Sequence, residues 1–407
     1  MAPLRYWLWL STRGLQPALA FRVLEHFGAP ERAYFADPAE YDLIPGLSDG
    51  AKERLRRQSL EEAERILGDC DRLGLRILTL GDADYPERLK NIYDPPLVLY
   101  IRGRLPHFDE EAAVALVGAR RPSAYGRRMA GKLGRELAAG GGLVVSGIAQ
   151  GLDTEALQGA LKGGGRAVSV LGNGIDVPYP WQSRFLYEDV AAAGALISEY
   201  PPGTEPAGWH FPIRNRIISG LSLGVVAVEC ALRSGTMITV GQALDQDRDV
   251  FAVPGNADAP MSEGPNRLIQ QGAKLVTCGW DVLREYAGRF PDKLRSPAPA
   301  PLPEGAEEAA GPEAPAGPEA PRSPSSGEKT VDKPLRRAYS DVSGLTEDQR
   351  AVLSALEGAA LTSDELVERT GLPARRVLSA LTLLQIQGYL TELPGKRFEI
   401  LGAPAEI

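Results

Sequence analysis

Short runs of apolar residues alternate with longer amphipathic stretches between about residues 73 and 286. A short apolar run bounded by glycine or polar residues is typical of a strand buried on both faces, and such strands separated by helices form parallel sheets. This pattern predicts an α/β fold with a doubly wound, mainly parallel sheet. The predicted strands are Leu75–Leu80, Leu97–Ile101, Ala112–Val117, Leu143–Ser146, Ala167–Leu171, Ala195–Ser198, Val225–Glu229 and Asp249–Val253.

Two smaller regions flank this sheet in the sequence. Residues 1–68 have helical periodicity and predict a small helical domain, with a helix–turn–helix hairpin around Gly46. Such a turn can present backbone N–H groups to a DNA phosphate, or it can be only a turn. Residues 341–407 predict three helices and a β-hairpin, which is winged-helix architecture. Its third helix carries only Arg375 and Arg376, so DNA binding and protein docking both stay open.

A segment rich in Pro, Ala and Glu separates the last two regions and predicts a disordered linker over 291–340. The 407-residue chain has a net charge of −8, which at first argues against a nucleic-acid partner. However, residues 296–328 contain six Glu and one Arg, a net charge of −5, so the rest of the chain sums to −8 − (−5) = −3. The remaining region, 69–290, is the predicted α/β domain.

Composition excludes several classes of protein. An apolar share of 43% and 7% aromatic residues are ordinary for a globular chain, and no apolar stretch is long enough to span a membrane. The three cysteines are far apart in the sequence, which predicts reduced thiols, no zinc site and a cytoplasmic location. We expect no cofactor, no metal and no membrane partner.

A basic segment follows the third predicted strand. Residues 118–135 contain six Arg or Lys and no acidic residue. Gly118, Arg120 and Arg121 lie where the strand ends and a helix is about to begin, a position suited to binding phosphate. Arg127, Arg128 and Arg135 fit equally well on a solvated helix face.

Three further segments carry polar groups at the ends of predicted strands. Glycines in the second segment permit close backbone approach to a phosphate, although it matches no dinucleotide or Walker A motif. The third places aromatic rings among arginines before a helix, which suits single-stranded nucleic acid. The fourth offers hydroxyl and N–H donors at a helix start. The candidate residues are Ser146, Gly147 and Gly151 in the second segment; His210, Phe211, Arg214, Asn215 and Arg216 in the third; and Ser234, Gly235 and Thr236 in the fourth.

Together these segments resemble the DNA-processing protein A family, also called DprA or Smf. The resemblance rests on the order and spacing of VGARRPSAYG, SGIAQGLD, GNGIDVPYP, FPIRNRIISGLS, RSGTMIT, VFAVPG and GPNRLIQQGA. It implies a Rossmann-like domain that binds single-stranded DNA without hydrolysis, protects incoming DNA during natural transformation and recombination, and loads the RecA recombinase while displacing single-strand-binding protein. It also implies a homodimer. One departure is Leu157, where family members commonly have a histidine.

Two other functions compete with this hypothesis. Nucleotide-processing enzymes of the phosphoribohydrolase type share a similar fold, but their P-G-G-x-G-T-x-x-E motif ends in a catalytic glutamate that the segment after Arg233 lacks. Glu199 and Glu229 are the fallback carboxylates for such an enzyme. A transcription regulator acting through the winged helix is the third possibility, and its weakly basic recognition helix disfavours it. We therefore expect no catalytic residue.

Overall fold

The structure, a computed structural model, describes residues 3–296, 345–356, 359–386, 389–393 and 397–400. These residues form two compact units, one containing residues 3–296 and the other the described residues from 345 onward. Most of the predicted linker, and residues 394–396 within the predicted β-hairpin, lie outside the described residues.

In the first unit, five α-helices precede the first strand in the sequence, and further helices alternate with most of the strands. Its α-helices are α1 (Leu4–Ser11), α2 (Pro17–Phe27), α3 (Pro30–Phe35), α4 (Asp49–Arg56), α5 (Glu61–Leu73), α6 (Glu87–Lys90), α7 (Ala124–Ala139), α8 (Leu152–Lys162), α9 (Phe185–Ala193), α10 (His210–Gly220), α11 (Gly235–Asp245), α12 (Glu263–Gln270) and α13 (Gly279–Leu283). Its strands are β1 (Arg76–Thr79), β2 (Val98–Gly103), β3 (Ala113–Val117), β4 (Leu143–Ser146), β5 (Ala167–Leu171), β6 (Ala195–Ser198), β7 (Gly224–Ala227), β8 (Asp249–Ala252) and β9 (Lys274–Leu275). Short 3-10 helices cover Pro38–Leu43, Phe108–Glu110 and Trp181–Ser183.

The nine strands form one sheet in the order β1-β2-β6-β5-β4-β3-β7-β8-β9. All neighbours from β6 to β9 are parallel, whereas β2 pairs antiparallel with both β1 and β6. The chain leaves β3 towards β4 on one side and later returns to place β7 on the other side. This reversal of strand order is the topological switch point, where doubly wound folds place a ligand crevice at the carboxyl ends of the strands.

The predicted fold class is confirmed. All eight predicted strands are present with shifts of no more than two residues at either end, and β9 is additional. Strands β3, β4 and β5 are buried at every position, as their continuous apolar sequence requires. One local expectation was wrong: the aromatic–arginine segment does not precede a helix but forms helix α10 itself.

The N-terminal helices share an apolar core with the sheet. A continuous cluster of buried side chains extends from Trp7 in α1 to Leu294. Helix α5 runs through residue 68, and its first-turn acids and its left-handed glycine at Gly74 fit an ordinary helix start and end. The predicted boundary between a helical domain at 1–68 and an α/β domain at 69–290 stays a prediction.

The second unit has winged-helix architecture. It contains α14 (Glu347–Leu356), β10 (Leu361–Thr362), α15 (Ser363–Thr370), α16 (Ala374–Ile386), β11 (Leu390–Leu393) and β12 (Arg397–Ile400). The strands pair in the order β10-β12-β11 and enclose an apolar core with the helices. In α16, Arg376 Nε donates to Asp348 of α14 at 2.7 Å, so Arg376 is engaged within its own unit. Arg375 is exposed.

Within the described ranges, no helix combines the length and apolar character needed to cross a bilayer. Over the same residues, no three His, Cys, Asp or Glu side chains come close enough together to hold a metal ion. Cys70 and Cys230 are buried and Cys278 is half-buried, and all three are free thiols.

Candidate nucleic-acid interface

A groove of about 460 Å³ lies at the switch point of the sheet. Its walls are the loops that follow β3, β4 and β7, together with one face of α10. Because these strands are parallel, their carboxyl ends meet at one edge, and the loops after them converge. The predicted residues that line the groove are Gly118, Arg120, Arg121, Phe211, Arg214, Asn215, Ser234, Gly235 and Thr236. The structure therefore brings together all four predicted segments, although the second contributes Ala149 and Asp153 and none of its candidate residues.

Two exposed arginines stand at the rim of the groove. No carboxylate lies within 4 Å of Arg120 or Arg121 among residues 3–296. By contrast, Arg127 on α7 pairs with Glu155 of α8 at 3.5 Å. The positive charge of Arg120 and Arg121 is thus available to an anion, whereas that of Arg127 is partly neutralised.

An aromatic ring lies among these cations. The Phe211 ring has the Arg120 guanidinium at 5.4 Å and the Arg214 guanidinium at 5.9 Å from its centroid. Both distances are within the range of cation–π attraction. Phe211 is half-buried, so part of the ring remains accessible from the groove. An arrangement of this kind offers a stacking surface beside phosphate-binding groups.

Arg214 is buried and holds the loop after β4 in place. Its Nη1 donates to the Gly147 carbonyl at 2.9 Å and to the Val170 carbonyl, while its Nε has no hydrogen-bond partner among the described residues. Burial lowers the pKa of Arg214, and the nearby Asp153 carboxylate opposes that shift. Asp153 in turn accepts from the Gly147 N–H at 3.2 Å, and burial raises the pKa of its carboxyl group.

The glycines of the second segment have a packing role. A Cβ on Gly147 would lie 2.2 Å from Arg214 Nη1, so this position must be glycine to admit the guanidinium. Gly151 has a φ of +94° and its Cβ would lie 2.5 Å from the Ala119 carbonyl oxygen. Ser146 is buried and donates to the Leu116 carbonyl at 2.7 Å. Gly147 lines a small recess beside the groove, but Ser146 and Gly151 line neither.

His210 and Arg216 lie outside the groove. Both line a second cleft, of about 830 Å³, between α10 and the N-terminal helices. The guanidinium of Arg216 is buried and bonds both carboxylate oxygens of Glu199, at 2.7 and 2.9 Å, with Asp94 at 3.1 Å. Glu199 raises the pKa of Arg216 against the opposing effect of burial. Arg216 is therefore occupied by an internal ion-pair network and faces away from the groove.

The fourth segment supplies the start of α11 to the groove. The Ser234 hydroxyl accepts from the Met237 N–H at 3.4 Å and so caps the helix. The first N–H groups of a helix have no partner within it and carry the positive end of its dipole. Asn215 Nδ2 reaches the Gly235 carbonyl at 3.5 Å, which ties α10 to this helix start.

The carboxylates near the groove are engaged by other side chains of the protein, and the thiol is buried. Glu229 is buried and accepts from both the N–H and the hydroxyl of Ser123, at 2.9 and 2.6 Å, at the start of α7. Glu199 is held by Arg216. Burial raises the pKa of the Cys230 thiol to about 11, so this groove residue is protonated at neutral pH.

The candidate residues chosen from the sequence leave out eleven residues that line the groove, among them Asp153, Thr239 and Met261. Asp153 had a usable signal, because it is the first acidic residue of a helix that follows a glycine loop. Thr239 follows Thr236 by three positions and therefore shares its face of α11. Met261 belongs to an irregular loop whose position depends on tertiary packing, and its sequence neighbourhood gives no signal.

His210 gives a prediction for the pH dependence of stability. Its Nδ1 lies 2.9 Å from the Gly172 carbonyl oxygen and its ring stacks on Tyr200 at 4.0 Å. Burial lowers the pKa of His210 below its ordinary 6.5. The unfolded chain therefore binds a proton more readily than the folded chain, and this group's contribution is complete above pH 6.5 and is lost as the pH falls through that value.

We expect the free energy of unfolding to fall between pH 7.5 and 5.5, and to fall less steeply in His210→Gln. Denaturant unfolding at several pH values measures both slopes. Equal slopes for the two proteins would contradict the assignment.

Comparison with known proteins places this geometry in a family. The model of DNA recombination-mediator protein A matches residues 76–287, more than half of the chain, and the DprA winged helix domain matches 336–396. Protein Smf of Synechocystis is 32% identical over 400 residues, which cover 97% of this chain and 98% of Smf. DNA processing protein DprA of Bacillus subtilis is 37% identical over 262 residues, covering 62% of this chain and 88% of DprA.

A solved structure shows the same relationship. The X-ray structure of DNA processing protein A from Streptococcus pneumoniae superposes with a TM-score of 0.62 and 35% sequence identity, covering 70% of this chain and 99% of the other. A relative matched at this identity along almost the whole chain shows common descent in addition to a common fold. The chain therefore belongs to the DNA recombination-mediator protein A family, whose members are called DprA or Smf.

Proposed function

We propose that the groove binds single-stranded DNA and that the protein processes DNA in natural transformation and recombination. The observation that carries this proposal is the Phe211 ring with two guanidinium groups against it, beside the exposed Arg121. Aromatic stacking serves every base, and arginine binds every phosphate, so this combination suits binding without sequence preference.

Single-stranded DNA fits the groove better than duplex DNA because its bases are free to leave the stack. A base can stack on Phe211 only when its face is exposed, and pairing in a duplex hides that face. The adjacent phosphates would then contact Arg120, Arg121 and the N-terminus of α11.

We propose that binding does not lead to hydrolysis. A hydrolase needs a carboxylate, thiolate or histidine free to take a proton. Glu229 is occupied by Ser123, Glu199 by Arg216, and Asp153 by the Gly147 N–H next to Arg214. Nucleotide turnover that Glu229→Gln abolishes would overturn this point and favour the phosphoribohydrolase type of enzyme.

Membership of the family supports the remaining proposals. We propose that the protein acts in the cytoplasm as a homodimer, protects incoming single-stranded DNA, and loads RecA recombinase while displacing single-strand-binding protein. The winged-helix unit contributes either DNA contacts through Arg375 or a protein-docking surface. The exposed Leu378 and Leu383 on α16 favour docking, because apolar side chains there cannot pair with phosphate.

Salt dependence tests the groove directly. Each phosphate neutralised on a single strand contributes about −0.7 to the slope of log K against log salt. We expect Arg120→Ala/Arg121→Ala to bind oligothymidylate more weakly and to reduce the magnitude of that slope by about 1.4, for two lost phosphate contacts. Fluorescence anisotropy at several salt concentrations, with single- and double-stranded probes, measures the affinity and the slope.

The matched control is Arg127→Ala/Arg128→Ala, which removes the same charge from two adjacent arginines on α7. Because Arg127 pairs with Glu155, this variant is expected to change the slope much less. Equal effects of the two double variants would show a general electrostatic attraction and no specific groove. Wild-type affinity of Arg120→Ala/Arg121→Ala would refute the proposed site.

A further inference from the structure

An exposed aromatic surface lies beside the groove, on the segment that follows β5. Tyr179 is 40% exposed, Trp181 is 64% exposed and Phe185 is 49% exposed. Large aromatic side chains are usually buried, so three exposed rings within seven residues indicate a surface that binds a ligand or a partner. The function proposed above does not use this segment.

The loop that carries these rings is held in a fixed conformation. Asn173 Nδ2 donates to the Gly174 carbonyl at 3.0 Å and also to the Val177 carbonyl. The Tyr187 hydroxyl accepts from the Tyr179 N–H at 3.0 Å and donates to the Tyr179 carbonyl at 3.1 Å. The rings are therefore presented on an ordered backbone, which lowers the entropic cost of binding.

The aromatic surface is continuous with the groove. The rings of Tyr179 and Phe211 lie 5.6 Å apart at 30°, and Tyr179 lines the same recess as Arg120 and Phe211. Beyond Tyr179, the next ring is Trp181, on the other side of Pro180. Trp181 lines a separate cleft of about 610 Å³ together with Arg184 and Phe185.

The chemistry of this cleft repeats that of the groove. The Arg184 guanidinium lies 4.2 Å from the Trp181 ring centroid, just as Arg120 lies against Phe211. Arg184 is exposed, and no carboxylate is within 4 Å of it in residues 3–296. The neighbouring acid Glu188 is held by both of its oxygens on Arg102, at 2.7 and 2.8 Å. An unpaired cation beside an exposed ring is again suited to a phosphate and a base.

We propose that single-stranded DNA leaves the groove over Tyr179 and continues onto Trp181 and Arg184, which form a second stacking and phosphate-binding subsite. This inference rests on the function proposed for the groove and extends it by naming the path that the strand takes across the surface. Trp181 stacks a base, and Arg184 contacts an adjacent phosphate. The bound strand is then longer than the groove alone can hold.

The length of the probe separates the subsite from the groove. Oligothymidylates of about 4 to 16 nucleotides cover the site sizes of OB-fold domains that bind single strands, which serve as a guide to the lengths to test. For Trp181→Ala/Arg184→Ala we expect wild-type affinity for the shortest oligomers that bind. For the longer ones we expect a loss of about fivefold or more, with a salt slope smaller in magnitude by about 0.7. The matched control is Phe35→Ala/Arg32→Ala, which removes one exposed aromatic ring and one exposed arginine from α3.

Two results would overturn the subsite. If Trp181→Ala/Arg184→Ala bound oligomers of every length with wild-type affinity, the surface would not be a DNA subsite, and a protein partner would be the favoured ligand. An equal loss at every length, including the shortest, would make these residues part of the groove or of its folding. Failure of the groove itself gives a different result, since Arg120→Ala/Arg121→Ala would then bind the shortest oligomers as the wild type does.

Discussion

Phe211→Ala is expected to weaken the binding of oligothymidylate by about 5- to 150-fold. Stacking of a base on an aromatic side chain contributes about 1–3 kcal/mol, and a factor of ten corresponds to about 1.4 kcal/mol. The ring also holds Arg120 at 5.4 Å, so its removal takes away one of the contacts that positions this cation. The loss therefore belongs in the upper part of the range.

Phe211→Tyr is the control, because it keeps the ring and its stacking surface. It is expected to bind within about twofold of the wild type, whereas Phe211→Leu, which keeps only apolar volume, is expected to resemble alanine. Anisotropy titration with a fixed oligothymidylate measures all three variants, and unfolding by denaturant checks that each is folded. Wild-type affinity of Phe211→Ala would remove the observation that carries the proposed function.

The sheet could be predicted from sequence because its strands are buried on both faces. A strand such as β3, Ala113–Val117, has no polar residue, and little else in a globular chain produces that pattern. The switch point depends on the strand order β4-β3-β7, which the sequence pattern does not predict. Strand β9 could not be predicted because it has only two residues, Lys274–Leu275, which is too short for an alternating pattern to be recognised.

The arginines of α10 could not be assigned from residue type alone. Arginine is usually exposed, and an Arg next to aromatic rings suggests a nucleic-acid contact. The helical spacing held a signal: Arg214 shares a face with Ile217, Ile218 and Leu221, at i+3, i+4 and i+7, and all three are buried. Arg214 consequently points inward, where Gly147 leaves room for it.

The glycine-rich loop shows why a motif does not fix a role. Its glycines suggested an open cradle for phosphate, but the space beside Gly147 is filled by the Arg214 guanidinium. The guanidinium comes from a helix 67 residues further along the chain. No local pattern contains that information, because it depends on how α10 packs across the sheet.

Arg216→Met is expected to lower the free energy of unfolding by about 3–5 kcal/mol, the usual cost of breaking a buried ion pair on one side. Arg216 is 3% exposed, and its removal leaves the carboxylates of Glu199 and Asp94 facing each other without a cation. Burial already raises the pKa of Asp94, and Arg216 opposes that shift, so Asp94 would take up a proton more readily in the variant. All five tryptophans lie within residues 7–280, so denaturant unfolding followed by tryptophan fluorescence reports on the unit that contains Arg216.

Arg102→Met is the matched control, because Arg102 also bonds both oxygens of one carboxylate, that of Glu188, but at the surface. Exposed pairs contribute about 0–1 kcal/mol, so this variant should be nearly as stable as the wild type. Arg216→Met/Glu199→Gln should recover part of the loss, since one unpaired charge is removed. Because Arg216 faces away from the groove, Arg216→Met should keep the wild-type affinity and salt slope for oligothymidylate wherever it is folded. A reduced slope without loss of stability would return Arg216 to the DNA-binding surface that its sequence context suggested.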